Sequence, residues 1–309
     1  MRLFGNPSVR AGIILNIFSN QRGKTQRVGV FRLAAMKDGD RIMKKLLILA
    51  GLVAVSAFAE EGFKPIFDGK TLSGWHIMQK PAGDKYYATD ENFYAKDGAI
   101  HCFQTPEKKG GLLLSDEKYG DFILEMEIKS DWGCDSGIFL RCTEDGRGIQ
   151  VLNDYLKEGN VGFLFGQGTG GYISRPIRFS EAGDNGTAYD VYDGVEIDGL
   201  KYGIDAEGWN AIWRHGEWNT VRIKCVGSEP IITTWVNGVK IMEMDGTVYK
   251  ARMLRDENKK NWSARSAWDR EKVQDITGGK GSIAFQIHPG GRWKPGGAAM
   301  YRNIRIKAL

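Results

Sequence analysis

The chain has 309 residues, with 43 Lys/Arg against 38 Asp/Glu and a formal charge of +5. That excess is local, because residues 1–59 hold ten of the basic and two of the acidic residues, leaving 33 and 36 in the remaining 250, a net charge of −3. The overall charge is therefore no argument for a nucleic-acid partner.

Residues 1–42 form a basic tract with no domain pattern of their own, the expectation for an upstream or mis-assigned extension if Met43 is the true start. Residues 43–59 read as a signal peptide: Lys44-Lys45, an apolar run from Leu46 to Val55, then Ala57-Phe58-Ala59. The run is shorter than the roughly 20 residues needed to span a bilayer. The expected location is periplasmic or secreted, with no membrane attachment after cleavage. Residues 60–309 then form one domain, long enough for a substantial core.

Within that domain, period-2 patterns predict strands. In Phe122 to Lys129 the even positions are apolar and most odd ones charged. Thr220 to Cys225 alternates likewise. Ile231 to Val236 meets Asn237-Gly238 and continues as Val239 to Met244, a hairpin signal because both turn residues must tolerate positive φ. Gly281 to Ile287 and Ala298 to Ala308 read as closing strands. Two stretches break the rhythm: residues 155–216, which include the glycine run Gly166 to Gly171, and residues 249–276, charged and Trp-containing with a short helix expected. The glycine run lacks the Lys-Ser/Thr ending of a phosphate loop and reads as an ordinary loop. Many short strands with little helix predict an all-β sandwich or jelly roll with long loop insertions. The four cysteines, Cys102, Cys134, Cys142 and Cys225, allow three disulfide pairings or burial as small apolar side chains.

Strand parity also nominates polar residues. Glu125 and Glu127 face away from the apolar side of their strand, and Arg141 opposes Ile138 and Leu140. Gln150 lies between Ile149 and Val151, while Gln286 and His288 share one face. Placed on one sheet, these side chains would line a sugar-sized groove with the planar donors and acceptors that sugars require. His288, at a strand end before Pro289-Gly290-Gly291, suits a base or a metal ligand. His76, His101 and His215 lack such a context. Glu196-Ile197-Asp198 partly matches the alternating acids of laminarinase-type glycosidases, but Lys201 stands where a third acid would be.

In family order, several segments carry a resemblance. They are Ile66 to Trp75, Tyr119-Gly120-Asp121-Phe122, Asp135 to Arg141, Gly216 to Ile223, Trp235 to Lys240, Gln286-Ile287-His288 and Tyr301 to Ile306. Together they resemble the 3-keto-disaccharide hydrolase family, which implies a concanavalin A-like jelly roll and an oligosaccharide or glycoside substrate. The resemblance implies cleavage of glycosides whose sugar carries a 3-ketone. The ketone acidifies C2–H, so a base can remove that proton and expel the C1 oxygen, and water addition completes hydrolysis. His288 or Glu127 is then the base; Arg141, or a divalent metal ion, stabilises the enolate; Gln150 and Gln286 orient hydroxyls. The family's usual Glu is replaced by Gly148, and its acid is displaced to Asp154 or replaced by Asn153. A non-catalytic, lectin-like module of the same fold is the alternative.

Overall fold

A computed structural model describes residues 62–79, 91–169, 171–191, 199–248 and 270–309. The signal segment, the 1–42 extension, Glu196-Ile197-Asp198 and residues 249–269 lie outside the described residues.

Two antiparallel sheets form a β-sandwich of jelly-roll type. The larger runs β13 (Leu200–Gly203), β16 (Val239–Asp245), β15 (Ile231–Val236), β14 (Asn219–Val226), β6 (Phe122–Ser130), β18 (Ala298–Ala308), β4 (Ala99–Phe103), β3 (Phe93–Lys96), with β1 (Lys64–Pro65) also paired to β18. The smaller runs β10 (Gly171–Ser174), β9 (Val161–Gln167), β8 (Gly148–Tyr155), β7 (Cys134–Cys142), β17 (Ser282–Ile287), β5 (Gly111–Ser115), β2 (Trp75–Ile77). A separate hairpin joins β11 (Ile177–Ala182) to β12 (Asn185–Asp190). Thus the 155–216 stretch, expected to break the strand rhythm, supplies strands β9 to β13. Its glycines close tight turns between strands, and Gly166 pairs with Gly171 across the β9–β10 turn.

The core is built from the faces the alternation assigns. Phe122, Leu124, Met126 and Ile128 of β6 join Ile138 and Leu140 of β7, Ile149 and Val151 of β8, and Ile283, Phe285 and Ile287 of β17 in one buried cluster. The Asn237-Gly238 turn forms as expected, with φ of 49° and 82° and Val236 paired to Val239. Helix α1 (Ala206–Ile212) is capped by Asp205, whose carboxylate accepts from the Gly208 N–H at 2.7 Å. Helix α2 (Arg270–Thr277) supplies the short helix expected near residue 276. All four cysteines are buried free thiols.

The sheets differ in how their outer faces are used. Strand β6 alternates buried and half-buried residues along its length. Strands β7, β8, β17 and β5 are buried at every position, on both faces. The polar residues of the smaller sheet are therefore enclosed, and each needs a partner.

Candidate active site on the smaller sheet

Register brings four polar side chains into one row across the outer face of the smaller sheet. Asp135 and Asp154 are direct cross-strand partners between β7 and β8. Gln286 pairs with Gly137 and Ile287 with Ser136, so the next residue, His288, stands beside Asp135, and its N–H donates to the Asp135 carbonyl at 3.1 Å. On the other side the Asp154 N–H donates to the Asn160 carbonyl at 3.0 Å. The row is thus His288, Asp135, Asp154, Asn160, with neighbouring Cα atoms about 4.5–5.5 Å apart.

One pleat along, Gln150 crosses the sheet to reach Gln286, its amide donating to the Gln286 side-chain oxygen at 2.7 Å and to the Ser136 carbonyl at 3.3 Å. Gly137 makes this crossing possible. A Cβ there would lie 1.7 Å from the Gln150 amide nitrogen. Beyond the glutamines the face turns apolar, with Met78, Leu112, Leu114, Phe139 and Ala284 packed together. The cavity there, lined by Leu112, Phe139 and Gln286, holds only about 30 Å³. That is room for a water or two.

The row is electrostatically unusual. Asp135 is ion-paired through Oδ2 to the Arg292 guanidinium. Asp154 is buried and faces Asp135 across the β7–β8 strand pair. Burial first, and the charge of Asp135 second, hold the Asp154 carboxyl well above the ordinary carboxylate range, while Arg175 and Arg292 pull the other way. Asp154 Oδ1 and both side-chain atoms of Asn160 are buried without a hydrogen-bond partner. Each such atom costs about 1–3 kcal/mol. His288 is half-buried, and its Nδ1 lies 2.7 Å from the Pro289 carbonyl. A carbonyl only accepts, so Nδ1 carries a proton, and in the neutral ring Nε2 is the nitrogen that holds the lone pair.

Two expected site residues lie elsewhere. Glu127 belongs to the other sheet, on its outer face, where its carboxylate binds the Arg302 guanidinium at 2.9 Å and the Asn303 amide. Equal parity within two strands does not put residues on one surface when the strands are in different sheets. Arg141 is fully buried at the far end of β7 with φ of 50°. Its guanidinium donates to the carbonyls of Gly120, Gly227 and Thr277 and to Asp121, fastening three loops together. The expectation that Glu127, Arg141, Gln150 and His288 line one groove is corrected accordingly. Gln150, Gln286, Asp154 and His288 do share one face. Asp135, Asn160 and Arg292 join them without having been singled out by the sequence. The odd-numbered parity of β7 that picked Arg141 also carries Asp135; Asn160 and Arg292 give no such signal.

Among the described residues no group of three or more His, Cys, Asp or Glu side chains converges to hold a metal ion. Arg292 is ion-paired to Asp135 of the carboxyl pair.

Residues 62–307 match the 3-keto-alpha-glucoside-1,2-lyase-like domain. The chain belongs to that family. A 3-keto-disaccharide hydrolase of Bacteroides thetaiotaomicron is 25% identical over 264 residues, covering 81% of this chain and 79% of that protein. Among solved structures, a Parabacteroides distasonis protein provisionally named a glycosyl hydrolase is 21% identical, with 80% of this chain and 99% of that one covered at a TM-score of 0.46. β-Agarase B of Zobellia galactanivorans is 14% identical, with 82% and 96% covered at a TM-score of 0.44. Family membership makes this chain a carbohydrate-active domain of the glycosyl hydrolase kind, with a sugar as its substrate.

Proposed function

We propose that the protein is an exported enzyme that cleaves glycosides carrying a 3-ketone, by removal of the C2 proton, elimination of the C1 oxygen, and hydration. The observation that carries this reading is the row of His288, Asp135 and Asp154 one pleat from the Gln150–Gln286 pair. A ketone-assisted elimination needs a base near C2, proton delivery near C1, and groups that hold the ring. With Nδ1 bound to the Pro289 carbonyl, His288 Nε2 is the base for C2. Gln150 and Gln286, held amide to amide, bind ring hydroxyls.

The test incubates the purified full chain with a 3-keto-glucoside, with and without EDTA. Release of the free aglycone, abolished in His288→Ala, is the expected result. Tight binding with no release would instead mark a lectin-like protein. Export is checked by fractionating producing cells; an extracytoplasmic protein whose N-terminus is Glu60 is expected, and an uncleaved cytoplasmic chain would refute it.

A further inference from the structure

The reaction just proposed leaves one role unassigned. Expelling an alcohol from C1 requires a proton for the departing oxygen, and neither glutamine can supply one. Arg141, buried among loop carbonyls, is out of reach of this face.

The carboxyl pair has what the role demands. Two buried carboxyls at facing positions of adjacent strands disfavour a second negative charge, so burial favours a proton on the pair. The Arg292 guanidinium pairs with the Asp135 carboxylate. That leaves the proton to Asp154. Its Oδ1 has no partner in the protein, and neither has the Asn160 amide beside it, although Asp154 is 5% exposed and Asn160 0%. An oxygen brought to this spot would meet a carboxyl O–H and an amide N–H, both waiting for an acceptor.

We infer that the one proton of the Asp135–Asp154 pair rests on Asp154 Oδ1, and that Asp154 delivers it to the glycosidic oxygen as the C1–O bond breaks, with Asn160 holding that oxygen. This assignment rests on the elimination reading above. In the first half, His288 Nε2 takes the C2 proton, the C1=C2 bond forms, the C1–O bond breaks, and the alcohol leaves with the proton of the pair. In the second half, water adds to C1 of the unsaturated ketone. Its proton returns to the pair, and His288 returns its proton to C2. Both groups end as they began, so one site performs elimination and hydration without a further reagent.

Leaving-group chemistry provides the test. Two 3-keto-glucosides are compared in the full chain, one with a nitrophenyl aglycone that departs without a proton and one with an alkyl aglycone that needs one. Asp154→Asn is expected to slow first-turnover release of the alkyl aglycone by about 100-fold or more and that of nitrophenol, which precedes hydration, far less. Exchange of C2–H with deuterated solvent, followed by NMR on a 3-keto sugar with no leaving group, should persist in Asp154→Asn and vanish in His288→Ala. An equal loss on both aglycones, or no loss on either, overturns the assignment to Asp154. A wild-type chain that cleaves neither substrate overturns the elimination reading itself. Asp135→Asn serves as the second variant, and it should show the same selective loss because Asp154 then has no charged partner to hold its proton.

Discussion

The outer faces of the two sheets present the same residue types in opposite circumstances. On β6, Glu125 and Glu127 are half-buried and fully answered: Glu125 by Arg222 and Arg305, Glu127 by Arg302 and Asn303. Phe63 lies under Arg222 and Arg305, and Trp218 under Arg302, beside a cavity of about 420 Å³ lined by Glu125, Glu127, Asn303 and Arg305. On β7 and β8, Asp135 and Asp154 are buried; Asp135 has Arg292, while one oxygen of Asp154 and the Asn160 amide have no partner. Paired surface charges contribute little to stability. Enclosed polar groups left incomplete cost stability, and they persist where a bound molecule completes them.

The sharpest way to break this contrast is at Arg141, which is buried yet fully satisfied. Arg141→Met removes a guanidinium from three carbonyls and Asp121, and should destabilise the protein by about 3–5 kcal/mol in chemical denaturation. Were Arg141 an enolate-stabilising group instead, activity would fall with stability unchanged.

Next in size is Gly137→Ala. The added methyl collides with the Gln150 amide and must push it off Gln286. A loss of about 1–3 kcal/mol in stability should accompany a raised KM for the 3-keto-glucoside. An unchanged KM would mean that the glutamine pair does not touch substrate.

A third effect depends on pH. Asp154 binds its proton more tightly folded than unfolded, so it favours the folded state below about pH 4, the unfolded carboxyl range. That contribution is lost as pH rises toward its raised folded value. Asp154→Asn cannot ionise, so its melting temperature should gain on the wild type as pH rises through that window. A difference constant with pH would show that Asp154 ionises normally in the folded protein.

Smallest is Glu127→Gln. Its ion pair is 26% and 33% exposed on the two sides, so thermal unfolding should register less than about 1 kcal/mol. Turnover should stay at the wild-type level. A large loss of activity would move the site to the other sheet.

The alternation of Phe122 to Ser130, the Asn237-Gly238 turn and the closing strands were legible in the sequence, because a strand with one wet face prints its burial as a period of two. The same logic misled at β9 to β13, where glycines close turns between strands that were read as an irregular stretch. It also put Glu127 on a face with Gln150, since parity records which side of its own strand a residue occupies and nothing about which sheet that strand joins. The sequence by itself determined the fold class, the family and four of the residues on the candidate face: Gln150, Asp154, Gln286 and His288. Tertiary structure alone decided that Arg141 fastens loops, that Gly137 lets two glutamines meet, and that Asp135 and Asp154 face each other. Those facts depend on register between strands far apart in the chain. Residues 135, 154 and 288 become one row only when β7, β8 and β17 pair at one particular offset.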